Sequence, residues 1–229
     1  MSGIARDVGC RGGCRGGCRG GGGRRRRREA RWPLAVAAAL SALLTACGSS
    51  PPVQFFTLEP VHPVAAPARA AGHPIQVAAV HIPAALDRQE MVRETAPARL
   101  ALSDEHRWGA PFAEMTRRVL TLDLAERLPP GAVLFPNEPV PPRANQLVVE
   151  ILDFSADPSG TVVFDGGWSL VPSGSDTAAM GRHVHLSAPA SPTDYAAQAR
   201  AMSQILGQLA DRIAASVAAT EGSNGSGHS

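Results

Sequence analysis

The sequence predicts an α+β domain in which a small, mostly antiparallel sheet carries two amphipathic helices packed on one face. Short segments rich in β-branched and aromatic residues occur before residue 103 and return between residues 133 and 186, as in strands. Two longer segments, at about 111–128 and 191–217, repeat apolar residues every three or four positions, as in amphipathic helices. Strands, a helix, further strands and a final helix are typical of one such domain.

The predicted strands alternate with proline- and glycine-rich turns. A hairpin around Pro97 and a turn at Asp157-Pro158-Ser159-Gly160 join two pairs of them, and both turns favour antiparallel neighbours. Ser103 reads as a polar turn residue or local cap. The strand candidates, in chain order, are residues 53–58, 75–82, 91–93, 99–102, 133–135, 146–154, 161–170 and 183–186.

The two predicted helices each have one apolar face, which we expect to pack in the core. The first is ended by Pro129-Pro130-Gly131, and the second opens at Ser191-Pro192-Thr193. The residues on the two faces are Phe112, Met115, Val119, Leu122 and Ala125 in the first helix, widened by Leu120, Leu124 and Leu128, and Tyr195, Ala199, Met202, Leu206, Leu209, Ile213 and Val217 in the second.

The charge is divided unevenly along the 229 residues. Residues 1–46 hold ten arginines against two acids, whereas residues 47–229 hold twelve arginines against eighteen acids. Because the excess of arginine ends at Arg31, nothing in the rest of the chain suggests a nucleic-acid partner.

The basic N-terminal segment reads as an export signal. Arg24–Arg31 is followed by thirteen uncharged residues, from Trp32 to Leu44. This run has the length of a signal-peptide apolar region and is shorter than the roughly twenty residues needed to span a bilayer. We interpret the Arg/Gly-rich residues 1–23 as a start site placed too far upstream or as a disordered extension.

The apolar run ends in Leu44-Thr45-Ala46-Cys47, which resembles the lipobox of bacterial lipoproteins. A thiol is a strong nucleophile that can accept a diacylglycerol, and two or more acyl chains anchor a protein stably. We therefore expect the mature chain to begin at an acylated Cys47. Gly48 follows it, in place of the Asp that holds such lipoproteins at the inner membrane, and this favours the outer membrane with the chain facing the periplasm.

These observations divide the chain into four parts. Residues 1–46 are the signal peptide with its extension, and residues 47–74 are a lipidated tether with a short strand and a Pro/Ala linker. Residues 75–218 form the α+β domain, and residues 219–229 are expected to be a disordered tail.

No catalytic, cofactor or metal site is expected. All four cysteines precede residue 48, so no thiolate metal site can form later in the chain. His183 and His185 point to one face of a strand but lack a third ligand at a suitable spacing. Ser103-Asp104-Glu105-His106 places a hydroxyl, acids and an imidazole in a row, whereas catalytic triads are assembled from separate segments.

An ordered set of motifs resembles the ABC-type transport auxiliary lipoproteins of the PqiC/YmbA type over about residues 47–218. The strongest motif is Arg107-Trp108-Gly109-Ala110-Pro111-Phe112, which leads into the first helix. The others are Cys47, the strand segments 55–58, 75–82, 147–151 and 167–170, and the closing amphipathic helix. The family usually has tyrosine where this chain has Phe55 or Phe56, which leaves any role of a phenolic hydroxyl open.

The resemblance implies a partner rather than a reaction. Such lipoproteins are outer-membrane subunits of MCE-type lipid transport systems, where they would dock a periplasmic MCE protein and its inner-membrane partner, with a homo-oligomeric ring as one arrangement. Phe55, Phe56 and Trp108 are the candidate partner or packing contacts, with core packing favoured for Trp108. The alternative is a stand-alone periplasmic lipoprotein that binds the cell wall or another envelope protein. The lipid cargo, the direction of transport and the docking surface are left open.

Overall fold

The computed structural model describes residues 51–64, 72–175 and 177–225, so Cys47 and the signal segment lie outside the described residues. The strands are β1 (Gln54–Phe56), β2 (Ile75–His81), β3 (Glu90–Ala96), β4 (Arg99–Trp108), β5 (Val133–Leu134), β6 (Asn145–Ala156), β7 (Thr161–Pro172) and β8 (Met180–Pro189). The helices are α1 (Phe112–Arg127) and α2 (Tyr195–Gly225). The α+β class is confirmed.

The sheet differs from the prediction because it is mixed and curled, with eight strands, rather than small and mostly antiparallel. The order is β1–β4–β3–β6–β2–β5, and β7 and then β8 continue from the other edge of β6. β6, β7 and β8 form the expected antiparallel meander. β2, however, runs parallel to both β5 and β6, and β1 runs parallel to β4. Parallel neighbours need long crossover connections, which the turn sequences do not reveal.

The twelve-residue strand β6 organises the sheet because it has neighbours along both edges. One edge pairs with β7 over almost its full length. The other edge pairs with β2 from Asn145 to Glu150 and meets β3 where Arg93 lies opposite Ala156. β6 therefore joins the β3–β4 hairpin to the helix-covered half of the sheet.

The core lies between one face of the sheet and the two helices, as predicted. Buried residues alternate along β7 and β8, which is the pattern of strands covered on one side. α1 packs on β2 and β5, α2 packs on β7 and β8, and the helices also pack on each other. Aromatic rings run through this core from Trp108 to Phe112, Phe154 and Phe164, with successive centroids 4.9, 5.7 and 5.3 Å apart.

The predicted helices and hairpins are confirmed, with some differences in their bounds. β4 continues to Trp108 instead of ending at Leu102, and Ser103 lies inside this strand rather than in a turn. The pairing of β3 with β4 shifts across this region, where Ser103 Oγ accepts the backbone N–H of His106. A hydroxyl that binds its own backbone in this way supports an irregular strand as readily as a turn.

The second helix also extends further than expected. α2 continues to Gly225, so part of the segment expected as a disordered tail is helical. Its beginning is capped by Asp194, whose Oδ1 accepts the N–H groups of Ala196 and Ala197 at 2.8 and 3.1 Å. This capping arrangement lowers the pKa of the Asp194 carboxyl.

Candidate functional site: the N-terminal segment and its seat on the domain

The three predicted contact residues occupy different environments. Trp108, at the end of β4, is buried in the core, and Phe56 is half-buried beside it in the paired strand. Phe55 lies opposite Arg107 in the same pairing, and 69% of it is exposed to solvent. The structure therefore places Trp108 in the core, whereas a contact between Phe55 and a partner stays a prediction.

The segment from Gln54 to His62 packs on the folded domain instead of leading to it as a free tether. Beyond β1, the Phe56 carbonyl accepts the N–H of Gly109 at 2.8 Å. Leu58 is then fully buried in the core. Residues 54–62 thus belong to the folded unit, although the sequence predicts a tether over residues 47–74.

Two side chains from the helices accept hydrogen bonds from the backbone of this segment. The N–H of Glu59 donates to Ser203 Oγ on α2 at 3.1 Å. The N–H of Val61 donates to Asp123 Oδ1 on α1 at 2.7 Å. Both helices therefore hold an irregular segment whose backbone groups have no strand partner.

Asp123 is the most perturbed of these groups. It is fully buried, and Arg127, one turn later on α1, reaches its Oδ1 at 3.5 Å while binding Asp211 of α2 at 2.6 Å. Burial raises the pKa of the Asp123 carboxyl from its ordinary 3.8 to about 6, although the Val61 N–H and Arg127 act in the opposite direction. The other oxygen, Oδ2, has no hydrogen-bond partner among the described residues.

A shallow groove of about 460 Å³ runs between the N-terminal segment and the first half of α2. Its floor is largely apolar, and the exposed side chain of Arg200 lies on one wall. The residues that line it are Phe55, Phe56, Thr57, Glu59, Pro60 and Val61 on one side, and Ala196, Ala199, Arg200, Ser203 and Gln204 on the other.

A second polar cluster joins the β3–β4 hairpin to the start of α2. Arg93 is buried, donates to Gln198 Oε1 at 2.7 Å and to the Pro192 carbonyl, and lies 3.7 Å from the ring centroid of Tyr195. The other face of Tyr195 meets the ring of His106, with centroids 4.0 Å apart. Desolvation lowers the pKa of Arg93, and Tyr195 and Asp194 oppose this shift. Although its Nη2 has no hydrogen-bond partner among the described residues, the contacts of Arg93 with Gln198, Pro192 and Tyr195 join the hairpin to α2, and Arg93 is best explained as a structural link.

Ser103 and His106 lie within hydrogen-bonding distance, with 2.8 Å between Oγ and Nδ1. A catalytic pair also needs a third group that orients the imidazole and donors that stabilise an oxyanion. The His106 ring instead lies between Phe56 and Tyr195. The pair is therefore explained by packing.

His183 and His185 lie on the solvent-facing side of β8, as the alternation predicted. The structure adds Asp165 of β7, whose Oδ1 lies 3.0 Å from His183 Nε2. Within the part of the chain that the structure describes, no group of three His, Cys, Asp or Glu side chains is arranged to hold a metal. Over the same residues, no helix has both the length and the apolarity required to cross a bilayer.

Sequence reasoning missed Asp123, Arg127, Arg93 and Gln198, which lie on the polar positions of otherwise regular elements. One signal was available for Asp123 and Arg127, since they are four residues apart on a helix, the spacing of an ion pair. No sequence signal indicates that Asp123 binds the backbone of Val61, 62 positions away.

The comparisons with known proteins agree with this fold. A crystal structure of an uncharacterized protein superposes with a TM-score of 0.59 at 20% identity, covering 72% of this chain and 99% of that one. A crystal structure of a DUF330 protein from Xanthomonas campestris gives a TM-score of 0.57 at 17% identity, covering 76% and 99% of the two chains. At these identities the likeness shows the fold alone. A search of curated proteins finds no match.

The family model of the ABC-type transport auxiliary lipoprotein component matches residues 56–214. This range begins at Phe56, inside β1, and ends within α2, so it contains the seat of the N-terminal segment as well as the whole sheet beyond β1. The match confirms the resemblance drawn from the motifs. The chain therefore belongs to the family of ABC-type transport auxiliary lipoproteins.

Proposed function

We propose that this protein is the outer-membrane lipoprotein subunit of an MCE-type ABC lipid transport system. It is anchored through acyl groups on Cys47 and docks a periplasmic MCE protein, itself linked to an inner-membrane partner, to the outer membrane. In this role it acts by binding, with no catalytic activity of its own, and serves lipid transport between the membranes and envelope integrity.

The observation that carries this proposal is the family match over residues 56–214, joined to the lipobox that ends at Cys47. The family supplies a role beside an ABC-type transporter. The choice of an MCE system comes from the motif resemblance to PqiC/YmbA-type lipoproteins, and the choice of the outer membrane comes from Gly48. A ring of subunits is one way in which such a protein could meet its partner.

The fold is suited to docking because much of the sheet is not covered by helices. On the side away from α1 and α2, β6–β8 present a mixed surface that includes Leu152, which is 57% exposed. Glu150, Asp165 and His185 add polar groups to the same region. A mixed surface of this kind is compatible with a transient protein interface, whose composition resembles that of the rest of a protein surface.

The proposal is tested by chemical cross-linking of intact envelopes, followed by purification of the tagged full-length protein and identification of its cross-linked partners. We expect an MCE-domain protein among them, at a level that falls severalfold in Cys47→Ala because the unanchored protein no longer lies at the membrane. Recovery of cell-wall or other envelope components without any MCE protein would instead favour the stand-alone structural lipoprotein.

The anchor is tested separately by metabolic labelling with a clickable palmitate. We expect label in the wild type and in Cys18→Ala, since Cys18 lies in the signal segment that is absent from the mature chain, and no label in Cys47→Ala. Label that persists in Cys47→Ala, or that is absent throughout, would contradict lipidation at this position.

A further inference from the structure

Two exposed apolar side chains lie at the N-terminal end of the described residues, in and just before β1. Val53 is 42% exposed and Phe55 is 69% exposed, although β1 is part of the sheet. Both precede Leu58, the first residue of the segment that is fully buried. β1 is an edge strand of the sheet, so a partner or a membrane that meets this edge would bury both side chains.

The surface that carries these side chains is fixed relative to the domain. β1 pairs with β4 from Gln54 to Phe56. Immediately after it, Leu58 enters the core, and the N–H groups of Glu59 and Val61 are held by Ser203 and Asp123. The domain therefore cannot turn away from its own N-terminal segment without breaking these contacts.

The covalent distance to the predicted anchor is short. Six residue steps separate Cys47 from Val53, and even a fully extended chain covers at most about 3.6 Å per residue, or about 22 Å in all. A compact domain with the length of residues 51–225 is about 40 Å across. Since the reach is about half of that width, the end of the domain that holds β1 must lie next to the membrane that contains the acyl groups.

We propose that Val53 and Phe55 rest in the interfacial layer of this membrane, so that the acyl groups and the β1 surface together orient the domain on the bilayer. The inference depends on the proposed acylation of Cys47. The partner is the lipid surface because the tether brings that surface within reach, and because apolar and aromatic side chains gain free energy on entering the boundary between headgroups and acyl chains.

The test uses the mature acylated protein, which begins at Cys47, in vesicles of phosphatidylethanolamine and phosphatidylglycerol at a ratio of about three to one. Phe55→Cys and Val53→Cys each introduce one thiol, which is labelled with a nitroxide. Leu152→Cys is the matched control, since Leu152 is similarly exposed at 57% but lies on β6, which β4 and β3 separate from β1 in the sheet. The measured quantity is the collision rate of the nitroxide with oxygen, which concentrates in lipid, and with a water-soluble nickel chelate.

We expect the ratio of oxygen to nickel collision rates at positions 53 and 55 to be at least threefold higher than at position 152. Equal, water-like ratios at all three positions in a protein whose mass confirms the acyl groups would overturn this inference and leave the proposed function intact. A mass without acyl groups would remove the anchor, and with it both the lipid attachment in the proposed function and this inference.

Discussion

At the scale of single residues, Asp123 shows how a buried charge can be used to hold an irregular segment. Its Oδ1 accepts the Val61 N–H, and Arg127 compensates only part of the charge because Arg127 also binds Asp211. A carboxylate that is desolvated without full compensation favours its protonated form. The hydrogen bond between Val61 and Asp123 therefore stabilises the segment and makes its attachment to α1 sensitive to pH.

Asp123 is expected to lower the stability of the fold as the pH rises. Its pKa is about 6 in the folded state against 3.8 ordinarily, so the folded protein binds more protons between these values and its free energy of unfolding falls from pH 4 to pH 6. The difference in pKa corresponds to about 3 kcal/mol at most. The Asp123→Asn side chain cannot ionise but keeps an oxygen that accepts the Val61 N–H. Arg127 keeps its ion pair with Asp211 in this variant.

The expected result is that Asp123→Asn is more stable relative to the wild type at pH 7.5 than at pH 4.5, measured by urea unfolding. Asp104→Asn is the control, because it removes an exposed carboxylate on β4 that takes no part in the Asp123–Arg127–Asp211 cluster. Parallel stability curves for Asp123→Asn and the wild type would show that Asp123 does not titrate in this range.

At the scale of elements, two turns with the same backbone conformation differ in their surroundings. Gly160, between β6 and β7, has a φ of +89°, and Gly174, after β7, has a φ of +81°. A Cβ on Gly160 would lie 2.5 Å from the backbone nitrogen of Pro192, whereas a Cβ on Gly174 would meet nothing within 4 Å. The first turn therefore packs on the start of α2 and the second does not.

Gly160→Ala is expected to destabilise the protein more than Gly174→Ala. Both substitutions cost about 1 kcal/mol for the left-handed backbone, and Gly160→Ala adds a clash with the main chain that typically costs a further 1–3 kcal/mol or so. Thermal unfolding of the two variants measures the difference. Equal losses of stability in the two variants would mean that the loop before α2 moves away from the added Cβ without a cost in free energy.

The N-terminal segment is an element held by one buried side chain and a few hydrogen bonds. Leu58→Ala is expected to lower the free energy of unfolding by about 2–5 kcal/mol because it leaves a cavity in the core. Phe55→Ala, three positions earlier, should change it by about 0.5 kcal/mol or less because Phe55 is exposed. Denaturant unfolding of both variants tests this contrast, and a small effect of Leu58→Ala would indicate that the segment is dispensable for the fold.

At the scale of the whole molecule, both helices and the sheet share one connected core. Trp108 at the end of β4 and Trp168 in β7 both belong to it. They are the only tryptophans after Cys47, so each can report on its own part of the protein. A single core of this kind favours cooperative unfolding.

The two tryptophans are expected to report the same transition. In Trp168→Phe, the fluorescence of Trp108 should follow urea unfolding with the same midpoint as the circular dichroism of that variant, and the same should hold for Trp168 in Trp108→Phe. Comparing two signals within each variant removes the effect of the substitution on stability. A fluorescence midpoint that precedes the circular dichroism midpoint would show that the hairpin and the meander unfold separately.

The sequence by itself determined the elements and the family. The apolar spacing at Phe112, Met115 and Val119 located α1 to within one residue at each end, and the turn at 157–160 located the β6–β7 hairpin. These features are local, because the period of the pattern reports which face of a segment is buried. The order of the motifs was enough to identify the family, since the motifs around Trp108 and Trp168 are runs of consecutive residues that are visible in the sequence.

Only the tertiary structure decided which segments meet. Three contacts join residues between about 70 and 144 positions apart. They are the parallel pairing of β2 with β6, the hydrogen bond from Glu59 to Ser203 and the hydrogen bond from Arg93 to Gln198. The spacing of apolar residues contains no information about such partners, because it identifies a buried face without identifying what covers it. For this reason, the position at which the N-terminal segment binds to α1 and α2 depends on packing across the whole domain.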